Sequence, residues 1–288
     1  MSIETIANRT VNLDKPASHI DGIKARHKAT WETGDFGQIA KYILPEEEQF
    51  VARLNLQPRM KVLDVACGNG NVATLAARRG CVTYGIDIAS NLIAQARQRA
   101  RSEYLHIEFT EGDAEYLPYG EANFDVAIST YGVMFAPRPE RIVSELRRVV
   151  KPGGLIALAN WTPDGFLGKV FAVFARHVPP PPGFPSPLLW GDEQIVRARF
   201  QGHGDDLQVT RRTARMVYPF DPSETVNFFR RYYGPTARAF DALKPVGQLA
   251  LLSELIELQT EFNTSKRANE TEVLSDYLEV HVRRAGAN

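Results

Sequence analysis

The sequence predicts an α/β protein, a mostly parallel sheet with helices on both faces, and two observations carry that prediction. Hydrophobic runs of strand length alternate with segments of helical periodicity from residue 61 to 160, the pattern of a parallel sheet with helical crossovers. The polar and glycine-rich motifs fall where those runs end, which is where an open sheet of this kind presents its ligand crevice.

The first unit is VLDVACGNGNVATLAARRG, residues 62 to 80. Val62, Leu63 and Val65 read as a buried strand, Gly68 and Gly70 as a tight turn, and Val72 to Arg79 as a helix that Gly80 stops. Asp64, a carboxylate at the strand end, would repel a pyrophosphate and suits a cationic or amine-bearing ligand. The turn also satisfies G-x-G-x-x-G/A through Gly68, Gly70 and Ala73, so this motif alone leaves a dinucleotide open. A second strand, CVTYGID, ends at Asp87, 17 residues beyond Gly70, placed to accept hydrogen bonds from ribose hydroxyls. Ser90 then begins a helix with Leu92, Ile93, Ala96 and Ala100 on one stripe. A third strand ends in Gly112-Asp113-Ala114, and a fourth spans Phe124 to Ser129. The helix ERIVSELRRVV buries Ile142, Val143, Leu146, Val149 and Val150 before Pro152, and the turn Lys151-Pro152-Gly153-Gly154 leads into the strand LIALANW.

This ordered set of strand-end motifs, from Val62 to Trp161, resembles the class I S-adenosylmethionine-dependent methyltransferases, in the style of their ubiquinone/menaquinone-type and small-molecule branch. The resemblance implies a Rossmann-like, seven-stranded, mostly parallel sheet and S-adenosyl-L-methionine as cofactor. By it, Gly68 and Gly70 face the methionine part, and Asp87 binds the ribose with Ile88 beside it. Asp113 holds the adenine amino group with Ala114 packed nearby, while Ser129 to Tyr131 form the floor between cofactor and substrate. Many members have a third glycine where this chain has Asn71, which puts close backbone approach in doubt there.

Outside the core the expected organisation is one elaborated domain: an N-terminal helical lid (1–55), the cofactor-binding core (56–162), a proline- and aromatic-rich cap segment (163–205) and edge strands (206–288). In the cap, DGFLGKVFAVFARH reads as helical, and six prolines lie between Pro179 and Pro187. Leu207 to Tyr218 reads as a strand, as does the closing YLEVHVRR. The resemblance makes these the antiparallel pair at the sheet edge, with a helical insertion (222–264) between them that is available to cover a substrate. In the lid, Trp31 and Phe36 are candidates to fold over the cofactor and His27 to stand near the reacting atoms, each weighed against ordinary packing. Trp190, Phe228, Phe229, Tyr232 and Tyr233 read individually as core. Glu46 to Glu48 behind Pro45 read as the acidic first turn of a helix.

Lys+Arg and Asp+Glu both total 34, giving zero formal net charge, so nothing steers the chain to nucleic acid or an anionic membrane surface. No apolar run reaches the roughly 18 residues that would span a bilayer. Cys67 and Cys81 are the only cysteines, too sparse for a disulfide framework or a metal site and suited to a reducing cytoplasm. The expected partner is a small, apolar or aromatic acceptor, and the chain is compatible with a homodimer. Because a sulfonium activates its own methyl group, alignment carries most of the catalysis, with Tyr131 the best-placed polar group and His27 or His177 the available bases. Two further classes stay in view: a non-catalytic scaffold of the same fold and, more distantly, an NAD-dependent oxidoreductase, which Asp64 and Gly112-Asp113 fit poorly. STYGVMFAP after the fourth strand lacks the Asn/Asp-Pro-Pro-Tyr type motif of amino-methylating DNA enzymes.

Overall fold

The computed structural model describes residues 17–180, 184–203 and 205–286, with side chains from residue 20. The start of the expected lid (1–16), the tract 181–183 of the proline-rich loop, Gly204 and the last two residues lie outside it. Three helices, α1 (Ala17–Trp31), α2 (Phe36–Ala40) and α3 (Leu44–Arg53), precede the sheet. The alternating core follows: β1 (Lys61–Val65), α4 (Asn71–Arg78), β2 (Val82–Asp87), α5 (Ser90–Ser102), β3 (Ile107–Glu111), β4 (Phe124–Thr130), α6 (Pro139–Val149) and β5 (Val150–Trp161). Then come α7 (Phe166–His177), α8 (Glu193–Phe200), β6 (Asp206–Tyr218), the insertion helices α9 (Pro222–Tyr232), α10 (Gly234–Asp241) and α11 (Pro245–Glu261), and β7 (Thr271–Arg283).

The seven strands lie in the order β3-β2-β1-β4-β5-β7-β6. β1 to β5 pair in parallel, and β7 runs antiparallel to both β5 and β6, as expected of a mostly parallel sheet with an antiparallel edge. Chain order reverses beside β1, whose neighbours are β2 and β4, and ligands of open α/β sheets bind at such a point. Val62 to Val65 are all buried because helices cover both faces of the central strands.

Where element bounds differ from expectation, the backbone explains why. α4 starts at Asn71 because Gly70 takes a left-handed φ of 80° and serves as its cap residue. The Lys151–Gly154 turn is a bulge inside β5: pairing with β4 jumps from Phe124↔Val150 to Val126↔Leu155, and Gly153 has a φ of 76° there. β7 is longer than YLEVHVRR because β6 pairs with it along its whole length, from Asp206↔Arg283 to Tyr218↔Thr271.

The N-terminal helices are fastened to the sheet and to the insertion. Glu46 and Glu47 occupy the acidic first turn of α3, yet both are buried. Glu46 accepts the Tyr277 hydroxyl proton at 2.6 Å, and Arg53 bridges Glu46 at 3.2 Å and the buried Glu279 at 2.6 Å. This network ties α3 to the middle of β7. On the other side, the Asp35 N–H donates to Tyr232 O at 3.0 Å, and Gly34 forms an isolated bridge with Tyr233. A side chain at Gly234 would put its Cβ 1.9 Å from Thr30 O, so only glycine lets α10 touch the end of α1 here. Replacing Tyr277 with Phe leaves Glu46 short of a donor in a buried setting. Chemical denaturation is expected to show a loss of about 1–3 kcal/mol, and an unchanged midpoint would show that Arg53 alone satisfies Glu46.

Candidate functional site

A cavity opens over the carboxyl ends of the parallel strands. It holds about 1320 Å³ of space between atoms, open solvent at its mouth included. Its base is the turn Ala66–Asn69 after β1, residues 86–88 at the end of β2, residues 112–114 after β3, and Thr130–Val133 after β4. The cover comes from Lys24, His27 and Trp31 of α1, Phe36 and Ile39 of α2, and Phe229 and Tyr233 around α9.

The base is held by a carboxylate. Asp87 Oδ2 accepts the Gly68 N–H and Oδ1 the Ala89 N–H, each at 2.8 Å. One side chain thus fixes the turn, where Ala66, Gly68 and Gly70 have φ values of 55°, 54° and 80°, and the entry to α5. Burial pushes the Asp87 carboxyl above its ordinary value, with these N–H groups acting against the shift.

Of the residues singled out in the sequence, His27, Trp31, Gly68, Asp87, Ile88, Asp113, Ala114 and Tyr131 line this cavity. Asp64, Gly70 and Ser129 do not, and each has a physical reason. Asp64 lies within β1, and its Oδ2 accepts the Ala73 N–H at 2.9 Å, behind the turn and against the first turn of α4. Gly70 faces the opposite way: a Cβ there would meet the Phe109 ring at 3.0 Å and Ala96 at 3.1 Å. Ser129 is fully buried, its Oγ taking the Val133 N–H at 3.2 Å, while its neighbour Thr130 reaches the cavity by strand alternation.

Asn71, the departure from a third glycine, uses its side chain structurally. Its amide donates to Ala40 O at 3.1 Å and to Glu47 Oε2 at 2.6 Å. Glu47 also accepts the Thr130 hydroxyl proton at 2.9 Å and lines the cavity. Burial pushes its carboxyl upward, against the pull of these hydrogen bonds and of Arg99. Nothing in the local pattern marks this role beyond an acid in a helical first turn. Lys24, also unforeseen, pairs with Asp113 and, at 2.5 Å, with the buried Glu115, while Lys28 pairs with Glu111. Glu32 accepts the Ser90 N–H at 3.1 Å and hydroxyl at 2.7 Å. α1 is thereby latched by charge across the ends of β2 and β3.

Tyr131 has a φ of 58° and stacks on Trp161 with centroids 3.9 Å apart and planes at 6°. Burial, with Tyr277, Glu47 and Glu46 nearby, pushes its phenol well above the ordinary value. It is therefore a neutral hydrogen-bonding group and not a base. Burial pushes the His27 imidazole down, so the ring is neutral at pH 7 and able to accept a proton; its edge meets Phe184 at 5.1 Å. His177 is not at the site: its Nε2 lies 2.7 Å from Glu254 at the end of α7, outside the cavity wall. Cys67 lines the cavity, but burial together with Asp64 and Asp87 pushes its thiol well up, which removes it as a nucleophile.

In the proline-rich part of the cap segment, none of the described residues of 177–191 lines the cavity, and Phe184 among them meets the His27 ring. Trp190 is core, covered by the Arg199 guanidinium at 4.3 Å. Met216 and Tyr218 at the end of β6 take that place, with Phe229 and Tyr233, whereas Phe228 and Tyr232 stay outside.

The charge pattern tests which cofactor the residues fit. Glu47, Asp64 and Asp87 are three buried carboxyls pushed upward by burial, and Asp64 further by the other two. A region this rich in buried acid favours a ligand carrying a sulfonium and an ammonium group and disfavours a pyrophosphate.

Comparison with known proteins agrees. A family profile described as a methyltransferase domain matches residues 63–158. An uncharacterized protein of Mycobacterium tuberculosis (strain H37Rv) is 36% identical over 252 residues, 86% of this chain and 92% of its own. The demethylmenaquinone methyltransferase of Deinococcus radiodurans is 36% identical over 124 residues, 42% of this chain and 52% of its own. The YcgJ protein of Bacillus subtilis shares the fold, with a TM-score of 0.59 at 16% identity over 84% of this chain and 98% of its own. With its strand-end motifs in this geometry and the family profile spanning β1 to β5, the chain belongs to the class I S-adenosylmethionine-dependent methyltransferases.

Proposed function

We propose that this methyltransferase acts on a small, largely apolar or aromatic acceptor enclosed beneath the N-terminal helices and the insertion. The observation that carries the reading is the cover. Trp31, Phe36, Trp161, Met216, Phe229 and Tyr233 form an apolar wall interrupted by few polar groups, His27, Glu47 and Tyr131 among them, the composition of a small-molecule site. The Deinococcus relative, named for demethylmenaquinone, supports a small-molecule acceptor.

When bound, S-adenosylmethionine supplies a methyl group already activated on a positively charged sulfur. In this reading Asp87 holds the ribose hydroxyls while keeping the Gly68 turn in place, and Asp113, now paired with Lys24, turns to the adenine amino group. Glu47, between Asn71 and Thr130, provides negative charge for the cationic end. Tyr131, immobilised on Trp161, orients the acceptor by hydrogen bonding. His27 takes the acceptor proton on its neutral ring where there is one to remove. The aromatic cover excludes water, so the work of the site is chiefly alignment.

Three measurements test this. Purified protein incubated with methyl-labelled S-adenosylmethionine and a metabolite extract should place label in a small organic-soluble molecule, and label found only in protein or nucleic acid would overturn the reading. Asp87→Ala should weaken cofactor binding about tenfold or more by calorimetry, the loss of charge-assisted hydrogen bonds; unchanged affinity removes Asp87 from the cofactor site. With the acceptor in hand, turnover should be level through neutral pH, where burial keeps His27 neutral, and should fall only below the ordinary imidazole range as the ring protonates. His27→Ala should lose that acid limb yet keep measurable turnover, with Tyr131→Phe slower still. A loss beyond about a thousandfold in His27→Ala, with normal binding, would instead mean obligatory base catalysis.

A further inference from the structure

A second chamber lies behind the aromatic cover, between α7 and the insertion helices. Val170 and Phe174 of α7, Val226 of α9 and Leu255 of α11 form its apolar walls, and it holds about 450 Å³ of space between atoms, mouth included. It shares Leu167, Phe229 and Tyr233 with the larger cavity, so the two adjoin at these residues. The surrounding residues form their own core, with Val173, Phe240 and Leu251 buried beside these walls.

A second observation is independent of the void. Gln259, on the last turns of α11, lines the chamber and is only 6% exposed. Its amide Nε2 has no hydrogen-bond partner among the described residues. Buried amide donors are rarely left unpaired, because the cost of desolvation is then uncompensated. A donor of this kind in a chamber whose lining is otherwise apolar save for Thr236 and Tyr233 is suited to an acceptor atom carried by a ligand.

We propose that the chamber is a subsite for an apolar tail of the acceptor, a tail that ends in a carbonyl oxygen bonded by the Gln259 N–H. This rests on the acceptor reading above and sharpens it. The methylated molecule is elongated, with its reacting end over the strand ends and its tail passing between Leu167, Phe229 and Tyr233. At the seam Leu167 stands in the first turn of α7, beside Phe229 and Tyr233, which are held edge to face with centroids 5.7 Å apart.

The probe is hexan-2-one, titrated in the presence of S-adenosylhomocysteine and followed by ligand-observed NMR. Saturable binding to the full chain is expected. Gln259→Leu should weaken it about fivefold by removing the hydrogen bond, and Val226→Phe, which fills the chamber, should abolish it. Both variants should bind S-adenosylhomocysteine as the parent does, which shows that they fold. Absent binding to the parent, or equal binding to all three proteins, overturns the proposal. The acceptor reading fails separately, by methyl label entering only macromolecules, and expected hexan-2-one results alongside such labelling would leave the chamber a ligand site in its own right.

Discussion

Asp87 ends β2 and accepts two main-chain N–H groups at 2.8 Å, one from the turn after β1 and one at the entry to α5. The turn residues it restrains sit at positive φ, including Ala66, a conformation that a side chain disfavours. Hydrogen bonds to a charged acceptor contribute about 1.5–3 kcal/mol, enough to offset that strain. Everything at the site is positioned from this joint. Gly68 faces the cavity because its N–H is turned to Asp87. Ala66 is close enough to the segment after β4 that a Cβ at Gly132 would fall 2.5 Å from its own. The floor residue Tyr131 follows from that contact.

The cavity is electrically and chemically divided. One part of its lining carries the buried acids Glu47 and Asp87, whose own hydrogen bonds come from Asn71, Thr130 and the Gly68 and Ala89 N–H groups. Its outer part is aromatic, with Trp31 meeting Phe36, Phe135 and Tyr233 edge on at 5.7, 5.0 and 5.9 Å. Such pairs add about 0.5–1.5 kcal/mol beyond area burial, so rings contributed by separate segments hold one another in a defined wall. Burial favours the neutral form of both Tyr131 in the floor and His27 in the cover, moving the phenol up and the imidazole down.

The sheet core was legible because local signals and tertiary placement coincide there: the glycine turn, Asp87 before a helix, and periodic stripes such as Leu92 to Ala100. Side-chain direction was not. Asp64 and Ser129 sit in the right motifs, but strand pleating and the demand of the Ala73 and Val133 N–H groups turn them inward. Glu47, Met216 and Tyr218 reach the site only through long-range packing, which leaves no local pattern. His177 illustrates the converse: residue type made it a base candidate, and a hydrogen bond with Glu254 on α11 accounts for it.

The seam between Gly34 and Tyr233, with Asp35 bonded to Tyr232 and Thr30 against Gly234, joins the N-terminal helices to the insertion through main-chain contacts. Both elements contribute rings to the same cavity wall, and neither can be displaced far without carrying its neighbour or breaking those bonds. The two covers are therefore joined mechanically, and a change at Gly34 or Gly234 in the seam is felt on both sides of the cavity rather than on one.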